Sequence, residues 1–273
     1  MRTLRLLPLV LVVLAIVVGF IVERAVSVDR HGATVATLEI DSKAVGQRLA
    51  TTVVVPGSRA SGPQPLLVFL HGRNGDNSSE LDDAFYSALA SVGSKAPLVA
   101  FPDGGDHGYW HNRAGHRWDT YVMREVIPVV VKRFGADPRR VAIGGISMGG
   151  FGAYDIALHH PGRFSAVAGH SPALWQTGGE TAGGAFDDAE DFARNDVIGG
   201  VRANPDVYGN ARLWVDAGAS DPFQPGVRAL VKALGSRLSA HTQWPGGHEG
   251  SYWDEHWPQY ARFYAHSLDR CRG

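Results

Sequence analysis

The sequence predicts an α/β protein, a mostly parallel central sheet with helices on both faces. Three observations carry this. Short β-rich runs alternate with helical patterns from about residue 29 to the end of the 273-residue chain, the rhythm of βαβ units. Several of those runs are almost wholly apolar, as strands covered on both faces must be. No repeat, charge block or long polar linker interrupts them, so 29–273 reads as one domain behind an N-terminal segment, 1–28.

The expected strands are Arg48–Val55, Pro65–Leu70, Pro97–Phe101, Arg140–Gly144, Phe164–Ala168, Ala211–Val215 and His241–Trp244. Between them, Leu81, Ala84, Phe85, Ala88, Leu89 and Val92 recur at helical spacing, with Ser78 or Ser79 available as cap and Gly93 as stop. A second helix spans Asp119–Phe134, kinked at Pro128. A third covers Val227–Leu238. A final one carries Trp253, Trp257, Tyr260 and Tyr264 on a single stripe, read as core packing. Weak periodicity over Trp175–Asn210 marks an irregular excursion over the site, without a domain of its own.

The N-terminus is different. Leu6 to Val22 is an unbroken apolar run, preceded by Arg2 and Arg5 and followed by Glu23 and Arg24. At about 1.5 Å per residue it reaches the low end of a membrane span and exceeds the usual signal-peptide core. It reads as an uncleaved signal-anchor ahead of a cleaved signal peptide (Ala25-Val26-Ser27 would be the cleavage site), with a buried core helix last. The positive-inside bias leaves the body outside the cytoplasm, anchored to the membrane or secreted. A balance of 26 basic and 27 acidic residues argues against a nucleic-acid partner. One cysteine, Cys271, excludes an intrachain disulfide and any multi-cysteine metal site.

Chemistry enters at Gly145-Ile146-Ser147-Met148-Gly149-Gly150, between a strand and a helix over Phe151–His160. In a chain with 34 glycines the pentapeptide alone is weak evidence; its position is stronger. A sharp strand-to-helix turn strains the serine backbone and leaves no room for flanking side chains. A serine hydroxyl needs a histidine to take its proton, and in folds with this turn the order is serine, acid, histidine. His248 follows the last expected strand; His256 falls inside the final helix and reads as a surface or packing residue. For the acid, Asp221 in Gly218-Ala219-Ser220-Asp221-Pro222-Phe223 is favoured over Asp216, which abuts its strand and reads as a partner of nearby backbone. The oxyanion donors expected are the amides of Met148, next to the nucleophile, and of Arg73, in the loop after Leu66–Leu70. His71 reads as a loop-shaping residue.

These stretches resemble the esterase D family of α/β-hydrolases, which includes S-formylglutathione hydrolases, carbohydrate esterases and mycolyltransferases. The resemblance runs from about Ala50 to Ala265, through Leu70-His71-Gly72, Phe101-Pro102-Asp103-Gly104-Gly105, the serine turn, Ser171-Pro172-Ala173-Leu174-Trp175, Asp216-Ala217-Gly218 with Asp221-Pro222-Phe223, and Gly247-His248 with Trp253. It implies an α/β-hydrolase fold without a large lid domain, a triad of Ser147, Asp221 and His248, oxyanion amides from Arg73 and Met148, and acyl-group hydrolysis or transfer without a metal or organic cofactor. His107, His111 and His116 share one loop, but spacings of four and five fit no metal motif; that loop is expected to shape substrate access. The leading expectation is a serine esterase acting on a small-molecule, lipid or carbohydrate ester. The second is an acyltransferase using a sugar or lipid alcohol. The third is a non-catalytic envelope-binding protein on the same scaffold.

Overall fold

The computed structural model describes residues 28–269. The apolar run Leu6–Val22, with the readings placed on it, and Cys271 lie outside those residues. Among the described residues no helix is long and apolar enough to cross a membrane.

The chain enters at a sheet edge. Strands β1 (Thr34–Ser42) and β2 (Gln47–Val55) pair antiparallel, Thr34 opposite Val55 and Ser42 opposite Gln47. β1 is absent from the strands expected from sequence. Only Leu38, Ile40 and Ser42 are buried along it, so its pattern is that of a half-wet edge and lacks a long apolar run. β3 (Gln64–Leu70) is buried along its whole length. It is followed by α1 (Asp83–Ser91) and β4 (Leu98–Pro102). The α1 cap is Asp82, which accepts from the Phe85 amide. The expected caps are used otherwise: Ser79 accepts from the Asp76 amide and Ser78 donates to the Asp76 carboxylate.

After β4 a small hairpin, β5 (Asn112–Arg113) and β6 (His116–Arg117), leads into α2 (Trp118–Tyr121). The expected helix over Asp119–Phe134 is broken by a π-helical stretch, Val122–Val126, before α3 (Ile127–Phe134). Pro128 stands at the start of α3. It has no amide to donate backwards, and the wide turn before it absorbs the missing bond. Then come β7 (Ala136–Ile146), α4 (Met148–His159), β8 (Ala166–His170), α5 (Ala189–Arg194), α6 (Val197–Ala203), β9 (Arg212–Gly218), α7 (Gln224–Leu234), β10 (Ala240–Trp244) and α8 (Gly250–Asp269). The region Trp175–Asn210 therefore holds two short α-helices and a single 3-10 turn, Gly178–Glu180. The third expected helix ends earlier than read, because Gly235 closes it at positive φ and Leu238 falls beyond.

The eight strands lie in the order β1-β2-β4-β3-β7-β8-β9-β10, parallel from β4 to β10, with β2 antiparallel to both neighbours. Alternation along β3 shows how both faces are filled. Leu66, Val68 and Leu70 join a core with residues of α3, α4, α6 and α7; Leu67 and Phe69 join a second with Phe85 of α1 and Trp257, Tyr260 and Tyr264 of α8. The α8 stripe is thus mostly core, while Trp253 is only partly buried.

A polar cluster sits within that second core. Asp216, fully buried on β9, accepts from His170 Nδ1 at 2.6 Å and from the Tyr252 and Tyr260 hydroxyls at 3.1 and 3.0 Å. His170 Nε2 lies 3.0 Å from the Tyr264 hydroxyl. This corrects the expectation that Asp216 bonds nearby backbone: its side chain turns into the sheet's α8 face, where only side chains can satisfy it. His256 is buried too, its Nδ1 donating to the Tyr252 carbonyl at 2.5 Å. Asp216→Ala should cost about 3–5 kcal/mol, because it strands a buried imidazole and two hydroxyls. Tyr260→Phe should cost less, about 1.5–3 kcal/mol. Urea denaturation of the three proteins checks the ranking.

Candidate active site

The site lies at the carboxyl ends of the central parallel strands, where α/β sheets hold their ligands. Ser147 joins β7 to α4 with φ 54° and ψ −115°, a conformation a residue with a Cβ adopts only under constraint. Three backbone bonds hold it: the Ser147 amide donates to His170 O at 3.0 Å, and its carbonyl accepts from Phe151 and Ala173 at 3.0 and 2.9 Å. The turn is pressed against β3. A Cβ at Gly149 would overlap the Leu70 carbonyl, and one at Gly145 would overlap the same carbonyl. Those two positions admit glycine alone without moving the strand.

His248 follows β10 and Asp221 follows β9. Their loops are joined by backbone, with Ala219 N donating to Trp244 O at 2.8 Å and Ser220 N to Gly246 O at 2.9 Å. Asp221 is buried. Its Oδ1 accepts from the Phe223 amide at 2.7 Å, which leaves Oδ2 for His248 Nδ1 at 2.9 Å. With Nδ1–H turned to the carboxylate, Nε2 faces the Ser147 hydroxyl at 2.8 Å. Phe223 and Trp253 flank the imidazole edge-on, their ring centroids 5.0 and 5.1 Å away. Three side chains read from the sequence as a set therefore stand in one hydrogen-bonded row. Asp216 and His256, the alternatives, are engaged elsewhere.

Met148 is the first residue of α4, so its amide has no partner within the helix. Arg73 lies in the exposed loop after β3 and lines the same cleft as Ser147. The Arg73 guanidinium stands beside the Tyr109 phenol, whose pKa is pushed up by burial and eased back by that charge. His71 is buried, and burial lowers its pKa. Its Nδ1–H donates to Gly72 O at 2.7 Å and Nε2 accepts from the Gly104 amide at 2.9 Å, tying the β3 and β4 loops together. That is the loop-shaping place read from the sequence. The three-histidine loop divides: His107 and His116 line a neighbouring groove of about 640 Å³, whereas His111 is buried and bonds Asp191 at 3.0 Å.

The cleft over Ser147 measures about 490 Å³ and has walls the sequence reading missed, among them Glu80, Asp82 and Asp254. The one signal in the sequence is the acidic run Glu80-Leu81-Asp82-Asp83, a pattern that helix starts commonly carry. Burial, then Asp76 and Asp82, push Glu80 up to about 8.

The arrangement defines the class: an α/β-hydrolase, with a serine on a strand-to-helix turn and a histidine and carboxylate on later loops. The Esterase family matches residues 42–265, and the chain belongs to it. Relatives include an esterase of Mycobacterium tuberculosis, 28% identical over 212 residues, covering 66% of this chain and 45% of the relative. Another is the diacylglycerol acyltransferase/mycolyltransferase Ag85A of Mycobacterium ulcerans, 24% identical over 255 residues, covering 81% of this chain and 74% of the relative. The chain thus spans less than half the length of the first of these. Among solved structures, an S-formylglutathione hydrolase from Agrobacterium tumefaciens superposes with TM-score 0.75 at 20% identity, over 87% of this chain and 96% of its own. A ferulic acid esterase gives 0.73 at 22% identity, over 87% and 98%.

Glu80 also predicts a pH dependence. Its pKa is raised in the fold from an ordinary 4.5 to about 8, so between those values the folded state holds a proton that the unfolded state has lost. The stability from this group is complete below about 4.5 and is lost as pH rises through about 8. Urea midpoints measured at pH 5 and pH 8 should fall with pH in the parent protein and fall less in Glu80→Gln.

Proposed function

We propose that the protein is a serine esterase that hydrolyses carboxylic esters or thioesters through an acyl-enzyme. The observation that carries this is the row of hydrogen bonds from Ser147 through His248 to Asp221, at 2.8 and 2.9 Å. The Ser147 hydroxyl oxygen attacks the substrate carbonyl carbon while His248 Nε2 takes its proton. Asp221 holds the imidazole with Nε2 forward and stabilises its charged form. The amides of Met148 and Arg73 receive the oxyanion, each such donor being worth roughly 10²–10³ in rate. His248 then protonates the departing alcohol or thiol as the bond to the carbonyl carbon breaks, leaving the acyl group on Ser147. Water, deprotonated by His248, attacks that ester; His248 then returns the proton to Ser147 Oγ as its bond to the acyl carbon breaks and the acid leaves. Nothing in these steps calls on a metal or organic cofactor. The apolar run behind Arg2 and Arg5 supports an extracytoplasmic location, anchored to the membrane or secreted.

Nitrophenyl acetate hydrolysis should fall about 10⁶-fold in Ser147→Ala, and about 10⁴-fold in Asp221→Asn, where the imidazole loses its orienting carboxylate. A fluorophosphonate probe should label the parent protein and leave Ser147→Ala unlabelled. Equal turnover in Ser147→Ala and the parent would refute the serine assignment.

A second reading, acyl transfer to an alcohol, is favoured by the similarity to a mycolyltransferase over 255 residues and by the polar groove that meets the Ser147 cleft at Gly75. Mass detection of products with glycerol or trehalose offered in excess separates the two. Ester of the acceptor supports transfer; free acid alone supports hydrolysis.

A further inference from the structure

The Ser147 cleft is chemically lopsided. Arg73 and Tyr109 stand on one side, with their charge and hydroxyl turned to each other. Glu80, Asp82 and Asp254 form another part of the wall, with Trp253 and Trp257 beside them. The carboxyls step outward. Glu80 is 8% exposed, Asp82 is half-buried as the cap of α1, and Asp254 is at the solvent edge on α8.

Glu80 Oε2 is buried and has no hydrogen-bond partner among the described residues. Such an atom is costly unless something supplies a donor. The group is also crowded. Asp76 and Asp82 add to the burial that raises Glu80. Asp254, raised to about 6 by burial and then by Asp82, shares a hydrogen bond with Asp82. A cation in the cleft takes the place of the proton that burial and its neighbours otherwise keep on Glu80; a primary ammonium also supplies a donor for Oε2, a quaternary one acts by charge alone, and indole rings add attraction for either.

We propose that Glu80, Asp82 and Asp254, beside Trp253 and Trp257, form a subsite for an ammonium or quaternary ammonium group carried by the ester substrate. The inference rests on the serine-esterase reading: the subsite anchors the cation while Ser147 attacks the carbonyl in the same cleft. It makes the enzyme selective for positively charged esters over neutral esters of equal shape.

Two matched pairs of thioesters test it. Acetylthiocholine is compared with 3,3-dimethylbutyl thioacetate, which puts the charge on the leaving half. A 4-(trimethylammonio)butanoyl thioester is compared with the 5,5-dimethylhexanoyl thioester of the same thiol, which puts it on the acyl half. At low salt, kcat/KM should favour the cation by about tenfold in at least one pair, the size of one well-placed charge or ring contact. The ratio within each variant should fall to about twofold or less in Glu80→Gln and in Asp254→Asn. Asp254 lies at the rim, so its variant decides the matter if Glu80→Gln does not fold. Ser147→Ala should lose all four activities. Should Ser147→Ala keep them, the serine reading fails. Should it lose them while both parent ratios lie near one, or persist unchanged in both carboxyl variants, the cation subsite alone is overturned.

Discussion

The close approach of the Ser147 turn to β3 is the constraint on which the site depends. Gly149 and Gly145 bring the start of α4 against the Leu70 carbonyl, at a distance that any Cβ would forbid. The hydroxyl is thereby lifted off the sheet end with φ 54°, and the strain of roughly 1–3 kcal/mol that such backbone carries is held by bonds to His170, Phe151 and Ala173. The same contact brings the β3 loop, with Arg73, to the edge of the cleft. Nucleophile, helix terminus and neighbouring loop are set by one packing event.

The imidazole is placed by a different means. Its loop is joined to the Asp221 loop by paired backbone bonds, so acid and base move together. Beneath them, the Asp216 cluster fixes β8 and β9 to α8 through His170 and two tyrosines. A rigid floor suits a reaction in which Nε2 must serve Ser147 first and water later with little change of position.

Around this apparatus the cleft divides its polarity. Arg73 and Tyr109 face each other on one side, and Glu80 and Asp82, at the entry to α1, crowd with Asp254 of α8 on another. The two helices meet on one face of the sheet, so residues about 170 positions apart (Glu80 and Asp82 against Asp254) become one wall. Helix capping accounts for Asp82; it does not account for Glu80, which is buried without an internal partner for Oε2.

Much of this was legible in the residues. Seven of the strands were located to within a few positions, the central ones by apolar runs, because a strand buried on both faces has little freedom of composition. Ser147, Asp221 and His248 could be picked out because each sits in a glycine-rich loop after a strand, in the order the turn requires. Half-wet β1 was missed, since alternation over an edge strand is a weak signal, and Pro128 gave a kink without revealing the π turn beside it. The partners of Asp216 and the gathering of Glu80, Asp82 and Asp254 were decided only by tertiary structure. Periodicity reports which face of an element is buried; it does not report which distant side chain is waiting there.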